Sequence, residues 1–308
     1  VDDGSTDESS SICNEYSERD KRIKVIHQKN QGANVARNVG LFEAKGDWVL
    51  FVDGDDFVLP DIFTQLEKFL DAEYDFITFS YNTLKNGRIK NDSKVYCEGE
   101  IVHKDEFEKM KFAAVDRFQN DSLFPPACIW NRVYRKEFLV NNNILFIPKF
   151  PKLQDLTFNL LVFDKAESAY ITNYKGYVYR INPNSVTNRF QKDFEEKLDI
   201  IMGWFDEYKK NQQYNQDFLM AYRGRVLNMM RTTTCLLFCH PDNTQKYMIR
   251  KKSFNSCISK YIDDEIINNY PIKRLPFKER LLTYAIIKKN FFACECLVKL
   301  YLLASRLI

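Results

Sequence analysis

The first eighty or so residues alternate between short apolar runs and stretches with helical spacing. The helical stretches begin after polar residues or at Pro, or end at Gly, as helices commonly do. The runs between them are short and apolar, which is typical of buried strands. The predicted helices cover 5–19, 32–45 and 60–70, and the predicted strands cover 23–26, 48–52 and 76–81. This alternation predicts an α/β fold with a mainly parallel sheet flanked by helices.

The pattern changes further along the chain. Residues 82–102 contain Asn86-Gly87, a dipeptide that favours a tight turn, and they predict an antiparallel hairpin. From about residue 193 onward the spacing of apolar side chains is almost wholly helical. We therefore predict two domains: residues 1–190, which contain the sheet, and a helical C-terminal region over 191–308.

The composition is that of a globular protein with a sizeable core. The chain has 308 residues, 45% of them hydrophobic, and a formal net charge of +3. Such a small charge gives no overall field that would attract nucleic acid. No run of apolar residues is long enough to predict a membrane span, and no secretory signal is evident. The eight cysteines lack the spacing of a disulfide framework, which favours a cytoplasmic location.

Three carboxylates directly follow the strand predicted over 48–52. They belong to Asp53, Asp55 and Asp56. Like charges this close repel each other, so a cation is a natural partner for them. Mg²⁺ and Mn²⁺ prefer one or two carboxylates together with phosphate oxygens and water. The alternative is a solvated turn, because Asp and Gly are ordinary turn residues.

Three motifs occur in order near the start of the chain. They are VDDGSTD over 1–7, GANVARNVG over 32–40 and VDGDD over 52–56. Together they resemble the nucleotide-diphospho-sugar domain of family 2 glycosyltransferases, which have the GT-A fold. The resemblance is strong over roughly residues 1–85, weaker to about 190 and faint beyond. It implies transfer of a sugar from a nucleotide diphosphate donor.

The resemblance implies a donor site built from the first two motifs. Asp2 and Asp3 match residues that bind the uracil and ribose side of the nucleotide. Arg37 and Asn38 match a pair that lies near the nucleotide. The structural alternatives are helix capping by residues 5–7 and a surface ion pair of Arg37.

The third motif corresponds to the metal-binding DxD motif of the family. The resemblance makes Asp55 the main ligand of Mg²⁺ or Mn²⁺ and Asp53 a contact to the ribose or the metal. Asp56 matches a further aspartate of the motif and has a supporting role. The cation would neutralise charge on the departing nucleoside diphosphate.

The resemblance also implies a catalytic base. The family commonly carries a Glu-Asp pair about a hundred residues after the DxD motif, and Asp155 matches the Asp of that pair. Gln154 stands where the Glu would be. Loss of that negative charge predicts a more acidic, and hence weaker, base. The alternative role for Asp155 is the N-cap of a helix over 156–165.

An aromatic residue is predicted on the acceptor side, together with Gln154. Trp130 lies in a segment that resembles the one preceding the acceptor side of the family, where its indole could stack on a sugar. A core Trp is the alternative. Tyr177-Val178-Tyr179-Arg180 resembles a later piece of the family, and Arg180 or Arg189 could reach the diphosphate.

The start of the chain departs from the resembled family. Val1 falls where a strand should end, and the family begins about thirty to forty residues earlier, with a strand, a loop that touches the nucleobase and a helix. That strand is central in the family fold, and a sheet without it would expose unpaired edges. We therefore expect the sequence to be incomplete at its N-terminus.

The C-terminal segment over 271–308 is basic. It contains eight Lys or Arg and two Glu, a net charge of +6, interleaved with Leu, Ile, Phe and Tyr. A basic amphipathic segment can bind an anionic membrane surface, which predicts a peripheral location at the inner face of the cell membrane. The alternative is a helical cap with solvated lysines.

The sequence thus predicts an inverting, metal-assisted glycosyltransferase. It would move a hexose or N-acetylhexosamine, most simply from a UDP-sugar, to a hydroxyl of a surface glycan or a lipid-linked glycan. A degenerate, inactive nucleotide-binding or partner-binding module is the first alternative, favoured by Gln154 and the expected missing strand. A nucleotidyltransferase is the second, although no GxGxR-type loop occurs in the sequence.

Overall fold

The computed structural model describes residues 1–70, 73–90, 99–118, 127–182, 189–212 and 215–306. The chain forms two compact units. The first comprises Val1–Lys111 and Ser122–Ile181, and the second comprises Phe112–Asp121 and Asn182–Ile308. The predicted boundary between two domains near residue 190 stays a prediction.

The first unit is built on a sheet. Its strands are β1 (Trp48–Leu50), β2 (Phe57–Val58), β3 (Phe76–Lys85), β4 (Arg88–Lys90), β5 (Glu100–His103), β6 (Arg132–Arg135) and β7 (Ser168–Arg180). The hydrogen-bonded order is β1-β6-β3-β7-β2, with β4 beside β3 and β5 beside β7. Among the described ladders, β3–β7 is parallel and the other five are antiparallel.

The predicted α/β class is confirmed, but the sheet is mixed rather than mainly parallel. Strands β2, β4 and β5 each pair antiparallel with a neighbour. So does β6, which lies between β1 and β3 and is antiparallel to both. It has only four residues, two of them arginines, so the apolar pattern does not reveal it. A short strand of this kind is specified by its buried position, where Arg132 and Tyr134 are fully buried.

Residues 23–26 do not form the predicted strand. The segment makes one isolated parallel bridge, between Asp2 and His27. The pairing ends there because the chain turns at Gly4, whose φ is +74°. A Cβ atom at position 4 would also lie only 2.9 Å from the backbone nitrogen of Asn30. The close approach of these two segments therefore replaces a ladder.

The hairpin in the structure is shorter than the predicted one, which covers 82–102. Asn86 and Gly87 have φ values of +51° and +72° and join β3 to β4, as the Asn-Gly signal predicts. Residues 91–98, which belonged to the prediction, lie outside the described residues. The segment that follows, β5, pairs with β7 and not with β3.

Helices and apolar clusters cover both faces of this sheet. The helices up to residue 165 are α1 (Ser9–Arg19), α2 (Ala33–Glu43), α3 (Ile62–Leu70), α4 (Lys104–Val115), α5 (Lys136–Asn141) and α6 (Gln154–Lys165). Strand β3 alternates between the two clusters: Phe76 joins Phe158 on one side, and Ile77 and Phe79 join Trp130 on the other. Helix α6 contributes to the first cluster and α3 to the second, and the first turn of α6 carries Asp155 of the site described below.

The described part of the second unit is helical. It contains α7 (Phe194–Lys210), α8 (Gln216–Thr233), α9 (Tyr247–Tyr261), α10 (Asp264–Asn269), α11 (Phe277–Ile287) and α12 (Phe291–Arg306), with a π-helical turn at Thr234–Phe238 and a 3₁₀ turn at Ile272–Arg274. Its core includes Phe194, Phe205 and Phe218, all fully buried. Within the described ranges, no helix has both the length and the apolar character needed to cross a bilayer.

Candidate active site

The loop after β1 is fixed by its last aspartate. The Tyr177 hydroxyl donates to one carboxylate oxygen of Asp56 at 2.7 Å, and the Arg180 backbone N–H donates to the other at 2.7 Å. The Asp53 backbone N–H in turn donates to the Tyr177 hydroxyl at 3.2 Å. Burial, opposed by these hydrogen bonds, raises the pKa of Asp56. Asp56 therefore anchors the loop to β7, which agrees with a supporting role.

Arg37 joins two of the predicted site residues. Its guanidinium donates to the Asp53 carboxylate at 2.7 Å and to the Asp155 carboxylate at 3.3 Å. It also lies 5.3 Å from the centre of the Phe146 ring. The Arg37 side chain is only 20% exposed. A solvated surface ion pair is therefore the wrong interpretation of Arg37, because the residue bridges the loop after β1 and the start of α6.

Asp155 lies in the first turn of α6 but does not cap it. The N-cap is Leu153, which has a φ of +66°. Burial raises the pKa of Asp155 to about 6, although Arg37 and the backbone N–H of Ile129 lower it. The alternative role as N-cap is wrong. The pKa of Asp155 is raised beside the neutral Gln154, and its weakening relative to the family's Glu-Asp pair stays a prediction. A carboxyl group with a pKa near neutrality suits proton transfer.

Asp55 is the exposed carboxylate of the loop. No described group forms a hydrogen bond or ion pair with it, whereas Asp53 and Asp56 are both bonded. Among the described residues, no group of three or more His, Cys, Asp or Glu is placed to hold a metal ion by itself. One free carboxylate nevertheless fits a Mg²⁺ or Mn²⁺ ion whose other ligands are phosphate oxygens and water.

The hydrogen bonds of the Asp2 and Asp3 carboxylates involve neither Arg37 nor the loop after β1. The Asp2 carboxylate bonds to the Ser5 backbone N–H at 3.0 Å and to His27 Nδ1 at 2.8 Å. The Ser5 hydroxyl, His27 and the Ser5 N–H together hold the pKa of Asp2 well below the ordinary range. Asp3 accepts from the Gln31 and Gly32 backbone N–H groups at 2.9 and 2.7 Å. Burial raises the pKa of Asp3, but these bonds outweigh it and the net pKa is lowered.

The bonds of Asp3 give it a structural role at the start of α2, which begins directly after Gly32. Those of Asp2 join Ser5 to His27. Asp3 also accepts from the Gln28 side-chain amide at 2.7 Å. A carboxylate has about four acceptor positions, so three bonds leave Asp3 with capacity for a ligand. The predicted donor contacts of Asp2 and Asp3 remain predictions.

Both polar atoms of the Asn38 side chain bond to the backbone of Phe146. Its side-chain amide donates to the Phe146 carbonyl at 2.8 Å, and its side-chain oxygen accepts from the Phe146 N–H at 2.9 Å. One turn earlier, Asn34 donates to the Ile147 carbonyl. The two asparagines fix segment 146–147 against α2, which places Phe146 beside Arg37. Asn38 thus acts on the site through Phe146, and its direct donor contact stays a prediction.

The two predicted acceptor-side residues differ in exposure and contacts. Trp130 is 6% exposed, and its ring stacks on Tyr177 with 4.6 Å between the centroids and on Tyr179 with 5.5 Å. This burial favours the alternative of a core Trp. Gln154 is half-buried and donates from its side-chain amide to the Phe150 carbonyl at 3.1 Å. Their acceptor role remains a prediction.

Two residues of the site have roles that the sequence does not reveal. Arg132 is fully buried, and its charge lowers the pKa of Asp155. It lies over the Phe163 ring at 5.5 Å. Tyr177 positions the loop after β1 across 121 residues of sequence. The apolar residues around Arg132 in the sequence indicate that its side chain could be buried. No feature of the neighbouring sequence shows that Tyr177, rather than Tyr174 or Tyr179, holds the loop.

Comparison with known proteins identifies the family. The model of glycosyl transferase family 2 matches residues 1–140. An uncharacterized glycosyltransferase of Bacillus subtilis (strain 168), EpsJ, is 32% identical over 257 residues, which are 80% of this chain and 72% of EpsJ. The chain belongs to glycosyltransferase family 2. The predicted family is therefore confirmed, and this family 2 glycosyltransferase transfers sugar.

Further comparisons agree with this assignment. The putative glycosyltransferase EpsH of the same bacterium is 29% identical to this glycosyltransferase over 224 residues, which are 70% of the chain and 62% of EpsH. The crystal structure of S. aureus TarS 1–349 in complex with UDP-GlcNAc superposes with a TM-score of 0.61 at 18% identity, covering 99% of this chain and 82% of that one. The likeness to TarS concerns the fold, and it confirms the predicted GT-A-like architecture.

Proposed function

We propose that this glycosyltransferase moves a hexose or N-acetylhexosamine from a UDP-sugar to a hydroxyl of a surface glycan, with inversion at the anomeric carbon and with the help of a divalent metal ion. The observation that carries the proposal is the bridge from Asp53 through Arg37 to Asp155, beside Asp55, which pairs with no described group. It joins a candidate donor side and a candidate base in one site. The UDP-GlcNAc complex of TarS, a protein of the same fold, supports a UDP-linked donor.

Asp155 is the proposed base. Its carboxylate accepts the proton of the acceptor hydroxyl while the hydroxyl oxygen bonds to the anomeric carbon. The bond from that carbon to the diphosphate breaks at the same time, and its electron pair leaves with the nucleoside diphosphate. Attack opposite to the leaving group inverts the centre. Arg37 supports this role, because its charge favours the ionised form of a carboxyl group whose pKa burial has raised to about 6.

Asp55 is the proposed metal ligand. It stands exposed at the end of β1, in a loop that Asp56 and Tyr177 hold in place. Asp53 is a weaker candidate, because Arg37 already balances its charge at 2.7 Å. A bound divalent cation would supply positive charge that offsets the charge gathering on the leaving diphosphate. Asp53 remains available to hydrogen-bond a ribose hydroxyl through its second carboxylate oxygen.

Calorimetric titration tests the proposed donor and metal. We expect UDP and UDP-sugars to bind in the presence of Mn²⁺ at least about tenfold more tightly than GDP and GDP-sugars, a difference of about 1.4 kcal/mol. We expect EDTA to weaken the binding of UDP-sugars by at least about 100-fold, or about 2.8 kcal/mol. Release of UDP from the bound donor, with water or glycan as acceptor, would separate an enzyme from an inactive nucleotide-binding module. Equal affinity for UDP and GDP, or no effect of EDTA, would contradict the proposed donor or the proposed metal.

We also infer that the helical C-terminal region contacts an anionic membrane surface. Phe277, Leu281 and Tyr284 are 65%, 37% and 39% exposed, and their spacing puts them on one side of α11. Lys278 on the same helix and Lys288, its C-cap, are also exposed. Apolar side chains flanked by lysines match the headgroup region of a bilayer that contains anionic lipid. This is the partner that the charge of 271–308 predicts.

The double substitution Lys278→Glu/Lys288→Glu is expected to weaken binding to phosphatidylglycerol-containing vesicles by at least about tenfold, because each basic residue near such a surface contributes about 1 kcal/mol. Co-sedimentation measures the effect. The matched control is Lys21→Glu/Lys45→Glu, which changes the net charge equally at exposed positions of the first unit. Equal loss in both variants, or no binding by the unaltered protein, would argue against a membrane face on α11.

Point substitutions are preferable to removal of the segment. Helices α11 and α12 bury Leu282, Ile286, Phe291 and Cys294, each at most 3% exposed. Deletion of 271–308 would therefore expose part of the core of the second unit, and a loss of vesicle binding could then reflect unfolding.

A further inference from the structure

The second unit contains a polar cavity. Its volume is about 360 Å³, and its walls come from α7, α8, α9 and α10 together with the N-cap of α10. Cavities of this size lie at the lower end of the range that holds small ligands. Its charged and aromatic lining includes Asp206, Lys209, Tyr222, Arg223, Tyr261 and Glu265.

The charges around the cavity balance. Three acidic and three basic side chains line it, and the remaining members of each set are Asp263 and Lys260. Arg223 pairs with Glu265 at 2.7 Å, and Lys209 lies 3.7 Å from Asp206. A phosphate or a carboxylate would be repelled by the three acidic side chains, and the lining has no excess of positive charge to offset that repulsion. The lining therefore favours a neutral ligand with many hydrogen-bonding groups, since it offers donors and acceptors side by side.

Two tyrosine rings are held in fixed orientations in the wall. The Tyr222 hydroxyl donates to Asp206, and the Tyr261 hydroxyl donates to Asp199. The Lys209 ammonium lies 4.1 Å from the centre of the Tyr222 ring and covers one of its faces. Side chains fixed in this way lose little freedom when a ligand binds, so the cavity is preorganised.

The wall also contains a donor that the protein leaves unused. Arg223 Nε is buried and makes no hydrogen bond with any described group, although the same guanidinium pairs with Glu265 through Nη2. Buried polar groups are ordinarily bonded, because an unpaired one has lost its hydrogen bonds to water without replacement. A hydroxyl-rich ligand that shifts the Arg223 side chain slightly would satisfy this donor.

We propose that this cavity is a saccharide-binding subsite that takes one or two neutral sugar units of a glycan. Sugar hydroxyls match the alternating carboxylates and cations, and the apolar face of a pyranose ring matches Leu219, Ile266 and the tyrosines of the lining. The identification of the glycan as an acceptor rests on the proposed sugar-transfer function, whereas saccharide binding itself does not. The subsite lies wholly in the helical unit and uses none of the residues assigned to donor binding.

Saturation-transfer NMR on the full chain tests this subsite. The probes are neutral tetrasaccharides of glucose, galactose and N-acetylglucosamine, at millimolar concentration, with inorganic phosphate as the anionic comparison. We expect transfer to at least one tetrasaccharide and a loss of affinity of at least about fivefold in Glu265→Gln and in Tyr222→Ala. Tyr16→Ala, a substitution of a 55% exposed tyrosine on α1, is the matched control and should bind as the unaltered protein does.

The outcomes are distinguishable. Glu265→Gln keeps the shape of the wall, so it remains informative if Tyr222→Ala does not fold. Absence of transfer to all three tetrasaccharides, or equal binding by Glu265→Gln and Tyr16→Ala, would overturn the subsite, as would displacement of the saccharide by phosphate. UDP titration of the same samples separates the proposals, because loss of saccharide binding with intact UDP binding contradicts only the subsite, and the reverse contradicts only the donor site.

Discussion

Asp155→Asn is expected to lower the rate of sugar transfer by about 10²–10⁴-fold, the usual contribution of a general base. UDP-sugar affinity should hardly change, because the proton that Asp155 would accept belongs to the acceptor. Release of UDP measures the rate even before the natural acceptor is known, since water that attacks the donor also has to lose a proton. The N-cap of α6 is Leu153, so loss of a cap cannot explain the effect.

The pH dependence gives a second measure of the same residue. The base acts in its ionised form, and the pKa of Asp155 is raised to about 6, so activity should rise as pH increases through about 6. Arg37 lowers this pKa, so Arg37→Ala should move the midpoint to higher pH. A rate close to normal in Asp155→Asn would exclude Asp155 as the base, and a midpoint near pH 4 in the unaltered protein would contradict the raised pKa of Asp155.

Gln154→Glu restores the negative charge that the family commonly places beside the base. That charge should raise the pKa of Asp155 further and make the carboxylate a stronger base. A gain in rate above pH 7 would show that the pair acts as a unit. No gain would mean that a charge at position 154 does not set the basicity of Asp155, and that the side chain of Gln154 serves to hold the Phe150 carbonyl.

The features of the fold and of the site that the sequence predicts are those that depend on residues close together along the chain. The apolar run before Asp53 marks a strand end, and the strand β1 does end at Leu50, just before the aspartates. The Asn86-Gly87 signal likewise marks a turn because it depends on only two residues with positive φ. Both features are decided by the backbone conformations that neighbouring residues allow, so a single sequence suffices to predict them.

Contacts between distant residues decide the remaining features. Arg37 and Asp155 are 118 residues apart, and Asn38 and Phe146 are 108 apart, so no pattern along the chain connects them. The burial that raises the pKa of Asp155 is likewise a property of the assembled unit. Strand β6 was missed for a similar reason, because the burial of Arg132 follows from its place between β1 and β3.

The exposed Asp55 leads to the other large expected effect. Asp55→Ala should lower the affinity for a UDP-sugar in the presence of Mn²⁺ by at least about 100-fold, or about 2.8 kcal/mol at 1.4 kcal/mol per factor of ten. The reason is that a diphosphate and the nearby Asp53 and Asp56 carboxylates repel each other unless a cation lies between them. In the absence of metal, the variant and the unaltered protein should bind the donor equally weakly.

Asp47→Ala provides the matched control for charge. Asp47 is exposed and lies just before β1, at the opposite end of the strand from Asp55, so this variant removes one negative charge away from the loop. Calorimetry with and without Mn²⁺ should show the full metal dependence in Asp47→Ala and none in Asp55→Ala. If Asp55→Ala keeps its metal dependence, the cation binds elsewhere, and Asp53, released from Arg37, becomes the ligand to test. If neither protein responds to metal, the donor charge is balanced by protein cations alone.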